Sequence, residues 1–191
     1  MLEHNQITLN ELEKYISAGQ DCCVVNPCGS GKTSVMSEFV KHHKDNTFVI
    51  LTKQVNAGDY YERMDPVFKG IPVYTYNKML NDYKRQKTDM YAADFYLVDE
   101  AHYIGAAKWG KAFTYLRDRY NPIVVGFTAT PQRFEDQGTD ETIVTSFFYG
   151  HSAGNFTSKQ LQDKGVFIEP EYILSLYDLS SEIEDKMDKI E

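Results

Sequence analysis

Two short runs carry residue types that can act on a phosphate. The first is Asn26-Pro27-Cys28-Gly29-Ser30-Gly31-Lys32-Thr33. Gly29 and Gly31 let the backbone turn its N–H groups toward anionic oxygens. A helix beginning near Thr33 adds the positive end of its dipole. Lys32 is then placed to reach the β- and γ-phosphates of a nucleotide, and the Thr33 hydroxyl to bind magnesium. Pro27, Cys28, Gly29, Ser30, Gly31, Lys32, Thr33 and Ser34 form the expected nucleotide-binding set. The general pattern G-x-x-x-x-G-K-[ST] has glycine where this chain has Asn26. The plainer reading is a glycine turn that only caps a helix.

The second run is Phe95-Tyr96-Leu97-Val98-Asp99-Glu100-Ala101-His102. Four apolar residues make a strand, and paired acids stand at its C-terminal end, the edge where open α/β sheets bind ligands. Asp99 is expected to contact magnesium through water, and Glu100 to orient or deprotonate an attacking water. The catalytic set is then Lys32, Asp99 and Glu100, the metal set Thr33 and Asp99, and the cofactors ATP and Mg2+. Taken alone, an acid pair after a strand is also a common helix cap.

These runs need a sheet to hold them. Short, continuous, β-branched or aromatic stretches at 22–25, 48–51, 73–76, 95–98 and 123–127 predict strands buried on both faces. Helical patterns at 33–43, 57–64, 77–87 and 107–120 alternate with them. The expected fold is α/β, three layers around a mostly parallel sheet. Further on, 150–155 reads as a loop, 159–164 as a short helix and 166–177 as one more strand. From Ser180 onward the chain is strongly polar, an exposed helix or frayed tail. A chain ending in such a segment is expected to be part of something longer. The organisation expected is one domain over 1–178 and a tail or linker over 179–191.

Composition narrows the classes. The chain has 191 residues, 42 % of them hydrophobic, and a net charge of −8. No apolar run approaches the roughly 20 residues of a membrane span, and the N-terminus lacks a signal pattern, so a soluble, cytoplasmic protein is expected. The charge argues against a broad basic surface and leaves room for a local basic groove. Cys22, Cys23 and Cys28 have no zinc-site spacing. Cys22 and Cys23 read as small buried strand residues, and Cys28 lies inside the glycine loop. Trp109, Ala112, Phe113 and Leu116 fall at helical spacing and read as a core-facing stripe, with base stacking by Trp109 the lesser alternative.

Asp99-Glu100-Ala101-His102 resembles the DEAH tetrad of superfamily 2 helicases and translocases. Thr128-Ala129-Thr130, with Pro131 and Arg133 after it, is similar to that family's T-A-T-P-x-R run. The motif order matches the family's first RecA-like domain from about residue 9 to 133, with weaker likeness to 177. The stretch 165–178 resembles the connection toward a second domain in phage and restriction-enzyme members.

The resemblance implies ATP and magnesium as ligands and a single-stranded or duplex nucleic acid, DNA or RNA, as partner. A second RecA-like domain, absent from this chain, is implied as well. His102 would link the ATP site to Thr128, Ala129 and Thr130. Thr52 and Lys53, and Thr75, Tyr76 and Asn77, would hold a phosphodiester backbone. An upstream glutamine that recognises adenine is common in the family. Here Glu13 stands in that stretch, with Gln6 a possible substitute. The second domain supplies arginine fingers in the family, so this chain alone is expected to bind nucleotide and hydrolyse it slowly. A free-standing P-loop ATPase and a nucleotide-binding regulatory module are the alternatives.

Overall fold

The computed structural model describes residues 1–53, 57–132 and 142–168. Among these, six strands form one sheet: β1 (Cys22–Val25), β2 (Phe48–Thr52), β3 (Val73–Thr75), β4 (Phe95–Asp99), β5 (Ile123–Thr128) and β6 (Ser152–Gly154). Their order is β3-β2-β4-β5-β1-β6, and every pair is parallel. Seven helices accompany them: α1 (Glu3–Ser17), α2 (Lys32–His42), α3 (Ala57–Met64), α4 (Tyr76–Lys84), α5 (Ala107–Tyr120), α6 (Ile143–Ser146) and α7 (Ser158–Asp163).

The continuous apolar strands have a simple cause. Successive side chains point to opposite faces, and both faces are covered. Cys22, Val24, Ile50, Leu97, Val125 and Phe127 pack with α1, α2 and Tyr61 of α3 on one side. Cys23, Val49, Leu51, Tyr96, Val98 and Val124 pack with α4, α5 and Ile143 on the other. The layers are therefore helix, sheet, helix, a RecA-like arrangement. Cys22 and Cys23 are fully buried on β1, and burial pushes the Cys22 thiol up to about 12. Of the expected stripe on α5, Ala112, Phe113 and Leu116 are fully buried, while Trp109 is half-buried.

Two elements differ from expectation. Residues 152–154, read as loop, pair with β1 as β6. Three residues with no apolar run carry no strand signal of their own; pairing with β1 makes the strand. The N-terminal segment, for which no element was expected, is the longest described helix. It buries Leu9, Leu12 and Ile16, but also His4, Asn5 and Thr8, which mask its apolar period. The expected strand at 166–177, Arg133 and the boundary at 178/179 fall wholly or mostly outside the described residues.

Candidate nucleotide site and the sheet edge around it

Because every strand is parallel, all C-terminal ends lie along one edge. Strand order sets what meets there: Thr75 from β3, Thr52 and Lys53 from β2, Asp99 and Glu100 from β4, Thr128 from β5, and Asn26 from β1. β5 alone separates β4 from β1, so the acid pair and the glycine loop start two strand spacings apart, about 10 Å.

The loop leaves β1 with the Asn26 N–H donating to the Thr128 carbonyl at 3.2 Å. Gly29 (φ +77) and Gly31 (φ +91) take the left-handed conformation that favours glycine. Lys32 opens α2, and its Nζ donates to the carbonyls of Asn26 (3.0 Å) and Pro27 (3.1 Å). Among the described residues, the N–H groups of Gly31, Lys32 and Thr33 have no protein acceptor. The Ser30 hydroxyl, on a residue 1 % exposed, also has no partner. A concave loop with free donors and a helix N-terminus behind it suits a polyphosphate.

Residues that the motif does not contain brace the loop. His4 Nε2 contacts the Ser30 carbonyl at 2.7 Å. The Asn5 amide lies so close that a Cβ at Gly31 would sit 2.5 Å from its Nδ2. Asn26, where the general pattern has glycine, turns its side chain away from the loop's mouth. It donates to Thr8 Oγ1 at 3.2 Å and accepts from the Phe156 N–H at 3.3 Å, tying α1 to the chain after β6. Glu13 is not at this site: it accepts from His42 and His43 at the far end of α2, about 16 Å of helix from Lys32. Gln6 is exposed on α1, next to Asn5, and bonds Asn10.

The acid pair is held from behind. Asp99 Oδ2 accepts from the Tyr61 hydroxyl at 2.8 Å and from Thr52 Oγ1 at 3.4 Å. The Tyr76 hydroxyl donates to the Asp99 carbonyl at 2.6 Å. Glu100 then takes φ +54, a conformation costing a non-glycine residue on the order of 1 kcal/mol, which turns the chain sharply at the end of the strand. Burial first, and the Asp99 charge second, raise the Glu100 carboxyl above its ordinary value of 4.5, against Lys32 and Lys53. Lys32 thus acts on Glu100 across the edge.

His102 joins this group to β5. Its Nδ1 lies 3.1 Å from Thr128 Oγ1, 3.4 Å from Thr130 Oγ1 and 3.5 Å from Glu100 Oε2. Thr128 Oγ1 donates to the Thr130 carbonyl and accepts from the Thr130 N–H, so Nδ1 is best assigned as the donor to it. Burial, then Lys53, lowers the His102 pKa, favouring the neutral ring. An open cleft of about 550 Å3 is lined by Cys28, Lys53, Asp99, Glu100, His102 and Thr130, with Ala129 beside them.

Of the residues expected to touch a nucleic acid, Thr52 and Tyr76 are each 1 % exposed, and their hydroxyls serve the Asp99 end of β4. Thr75 caps α4 through the Lys78 N–H. Lys53 and Asn77 are exposed, and a chain of contacts joins them. Lys53 donates to the Tyr103 hydroxyl at 2.6 Å, Tyr103 packs edge-on to Trp109, and Trp109 Nε1 donates to Asn77 at 3.4 Å. Lys108 lies over the Trp109 ring.

The described residues contain no group of three or more His, Cys, Asp or Glu able to hold a metal. A divalent ion here would rest on Thr33, Asp99, water and a ligand's own oxygens. That donor set suits magnesium, which keeps several waters and takes few protein ligands. The sequence signals missed Tyr61, His4 and Asn5. Only the departure at Asn26 marked that the loop has unusual support.

Residues 56–133 match the family model described as Type III restriction enzyme, res subunit. That span holds the Asp99–His102 tetrad and the T-A-T turn, and leaves out the glycine loop. No curated protein matches the chain. Among solved structures, the chain is similar to the ATP-dependent Type ISP restriction-modification enzyme LlaBIII bound to DNA, with a TM-score of 0.59 and 14 % identity over 86 % of this chain. It also aligns with the Pyrococcus furiosus Hef helicase domain, at a TM-score of 0.49 and 16 % identity over 69 % of this chain. It spans 16 % of the first of those chains and 34 % of the second. No described helix is long and apolar enough to cross a membrane. With its all-parallel sheet, the chain shares the fold of the restriction-modification enzyme aligned at a TM-score of 0.59, and over residues 56–133 it is similar to the res subunit of Type III restriction enzymes.

Proposed function

We propose that this chain is the ATP-binding and hydrolysing motor domain of a superfamily 2 helicase or translocase acting on nucleic acid. One observation carries the reading. The Lys32 loop, the Asp99–Glu100 pair and the His102–Thr128 link occupy one sheet edge, with Thr128 bonded in turn to the first residue of the loop.

The roles follow from that geometry. Lys32 exchanges the carbonyls of Asn26 and Pro27 for phosphate oxygens, and the free N–H groups of Gly31, Lys32 and Thr33 face the same charge. Magnesium, held through Thr33 and Asp99, supplies positive charge at the phosphates when bound. Glu100, with its raised pKa, orients a water and takes its proton. His102 and Thr128 pass the state of that site to β5 and the loop. Lys53, Lys108 and the Tyr103–Trp109–Asn77 surface give a strand exposed cations and half-buried aromatic rings, contacts tolerant of sequence. The fold's structural neighbour was solved bound to DNA. Arginine fingers come from a second domain in this reading, so the chain alone turns over slowly.

The test is ATP turnover by the purified chain, with and without single-stranded DNA or RNA, with Lys32→Ala as the blank. Stimulation by one polymer supports the reading and names the track. Nucleotide binding with no turnover under any condition, even with a second domain supplied, turns it toward a regulatory module.

A further inference from the structure

Asp99 is gripped by two buried tyrosines from two different helices. Tyr76, opening α4, holds its backbone carbonyl. Tyr61, on α3, holds its carboxylate: the hydroxyl donates to Oδ2 at 2.8 Å. Tyr61 is 1 % exposed, and its ring packs on Phe68 at 5.4 Å. Thr52 Oγ1 approaches the same oxygen at 3.4 Å.

A buried donor committed to one carboxylate oxygen fixes the rotation of the carboxylate. With both donors on Oδ2, Oδ1 is left for a cation. We propose that Tyr61 is a positioning residue for the metal-site carboxylate: from α3 it orients Asp99 for magnesium. The proposal rests on the nucleotide-binding reading above.

The experiment measures the affinity of a fluorescent ADP or ATP analogue with excess magnesium and again with EDTA, in the wild type and in Tyr61→Phe, Phe68→Leu and Asp99→Asn. The readout is the factor by which magnesium tightens binding. Tyr61→Phe keeps the ring and removes only the donor, so metal-free affinity is expected to stay at the wild-type value. The magnesium factor is expected to fall about three- to tenfold, the typical net contribution of one hydrogen bond. Phe68→Leu disturbs the packing of the same ring and keeps the hydroxyl, so its magnesium factor should stay near wild type.

A magnesium factor unchanged in Tyr61→Phe but lost in Asp99→Asn overturns the proposal. So does an equal loss in Phe68→Leu, which would make the role one of packing. If Tyr61→Phe does not fold, Thr52→Val, which removes the weaker donor to the same oxygen, is expected to show a smaller loss of the same sign; no loss there overturns the proposal. Wild-type protein that binds no nucleotide, or binds it no better than Lys32→Ala, would instead defeat the nucleotide reading itself.

Discussion

At the scale of single residues, the edge of the sheet holds groups whose comfort in the fold conflicts with their proposed task. Glu100 is the clearest. It combines a left-handed backbone with a carboxyl that burial and Asp99 drive toward its neutral form. A raised folded pKa means that the folded chain holds the proton longer than the unfolded chain does. Stability is then greatest below the ordinary carboxyl value and falls as pH rises through the folded value. At pH 7.5 the ionised carboxylate therefore works against the fold. Glu100→Gln, which cannot ionise, is expected to melt at a higher temperature than the wild type at pH 7.5, and the gap should close toward pH 4.5. The side chain is about a third exposed, so solvent screens the effect and the shift should be small. The same variant should abolish turnover. Melting curves at the two pH values check the first part, and an equal or lower melting temperature at pH 7.5 would show that the carboxylate does not destabilise the fold. A residue that destabilises the fold while serving the chemistry is what a functional site leads one to expect.

At the scale of elements, a tight junction lies where the acid turn meets β5. Gly126 faces Ala101 and Phe148; a methyl there would lie 2.9 Å from Ala101 Cβ and 2.6 Å from Phe148 Cζ. The absence of a side chain lets the Asp99–His102 turn lie down on β5, which is how His102 reaches Thr128. Gly126→Ala is expected to cost about 1–3 kcal/mol in chemical denaturation, because the ring of Phe148 and the turn must both move. An unchanged midpoint would mean that the junction is looser than its distances imply. The same scale decides what was legible in the sequence. Five strands could be read because apolar residues on both faces leave a continuous run, as in Phe95–Asp99. The short motifs could be read too, since Lys32, Asp99, Glu100 and His102 sit in runs that each lie at or just after the end of a strand. α1 could not, because His4, Asn5 and Thr8 are buried for their polar contacts with the loop and with Asn26. β6 could not either, since three residues beside Gly154 are a strand only by virtue of β1. Tyr76 was legible as a residue near the edge and illegible as a buried brace. Its hydroxyl points to the Asp99 carbonyl, and only the sheet order brings that atom within reach.

At the scale of the whole molecule, charge sets the hardest condition on the proposed partner. The chain carries −8, so a polyanion meets net repulsion unless it approaches at a favourable place. The exposed surface from Lys53 through Tyr103 and Trp109 to Asn77, with Lys108 over the indole, is such a place. It offers two lysines and aromatic rings, a small electrostatic footprint. Affinity there should be modest and only mildly salt-dependent. With two phosphates neutralised on a single strand, the slope of log affinity against log salt is about −1.4, a loss of about sevenfold between 50 and 200 mM. Trp109 is the only tryptophan in the chain, so its emission reports on this surface without a label. A single-stranded oligonucleotide is expected to change Trp109 emission at low salt, with the shallow slope just given, and Lys53→Ala with Lys108→Ala should remove most of the response. A steep slope would mean that many phosphates are held elsewhere on the molecule. No change in emission, from protein that still binds nucleotide, would move the strand off this surface and leave the sheet edge as a nucleotide site without a track.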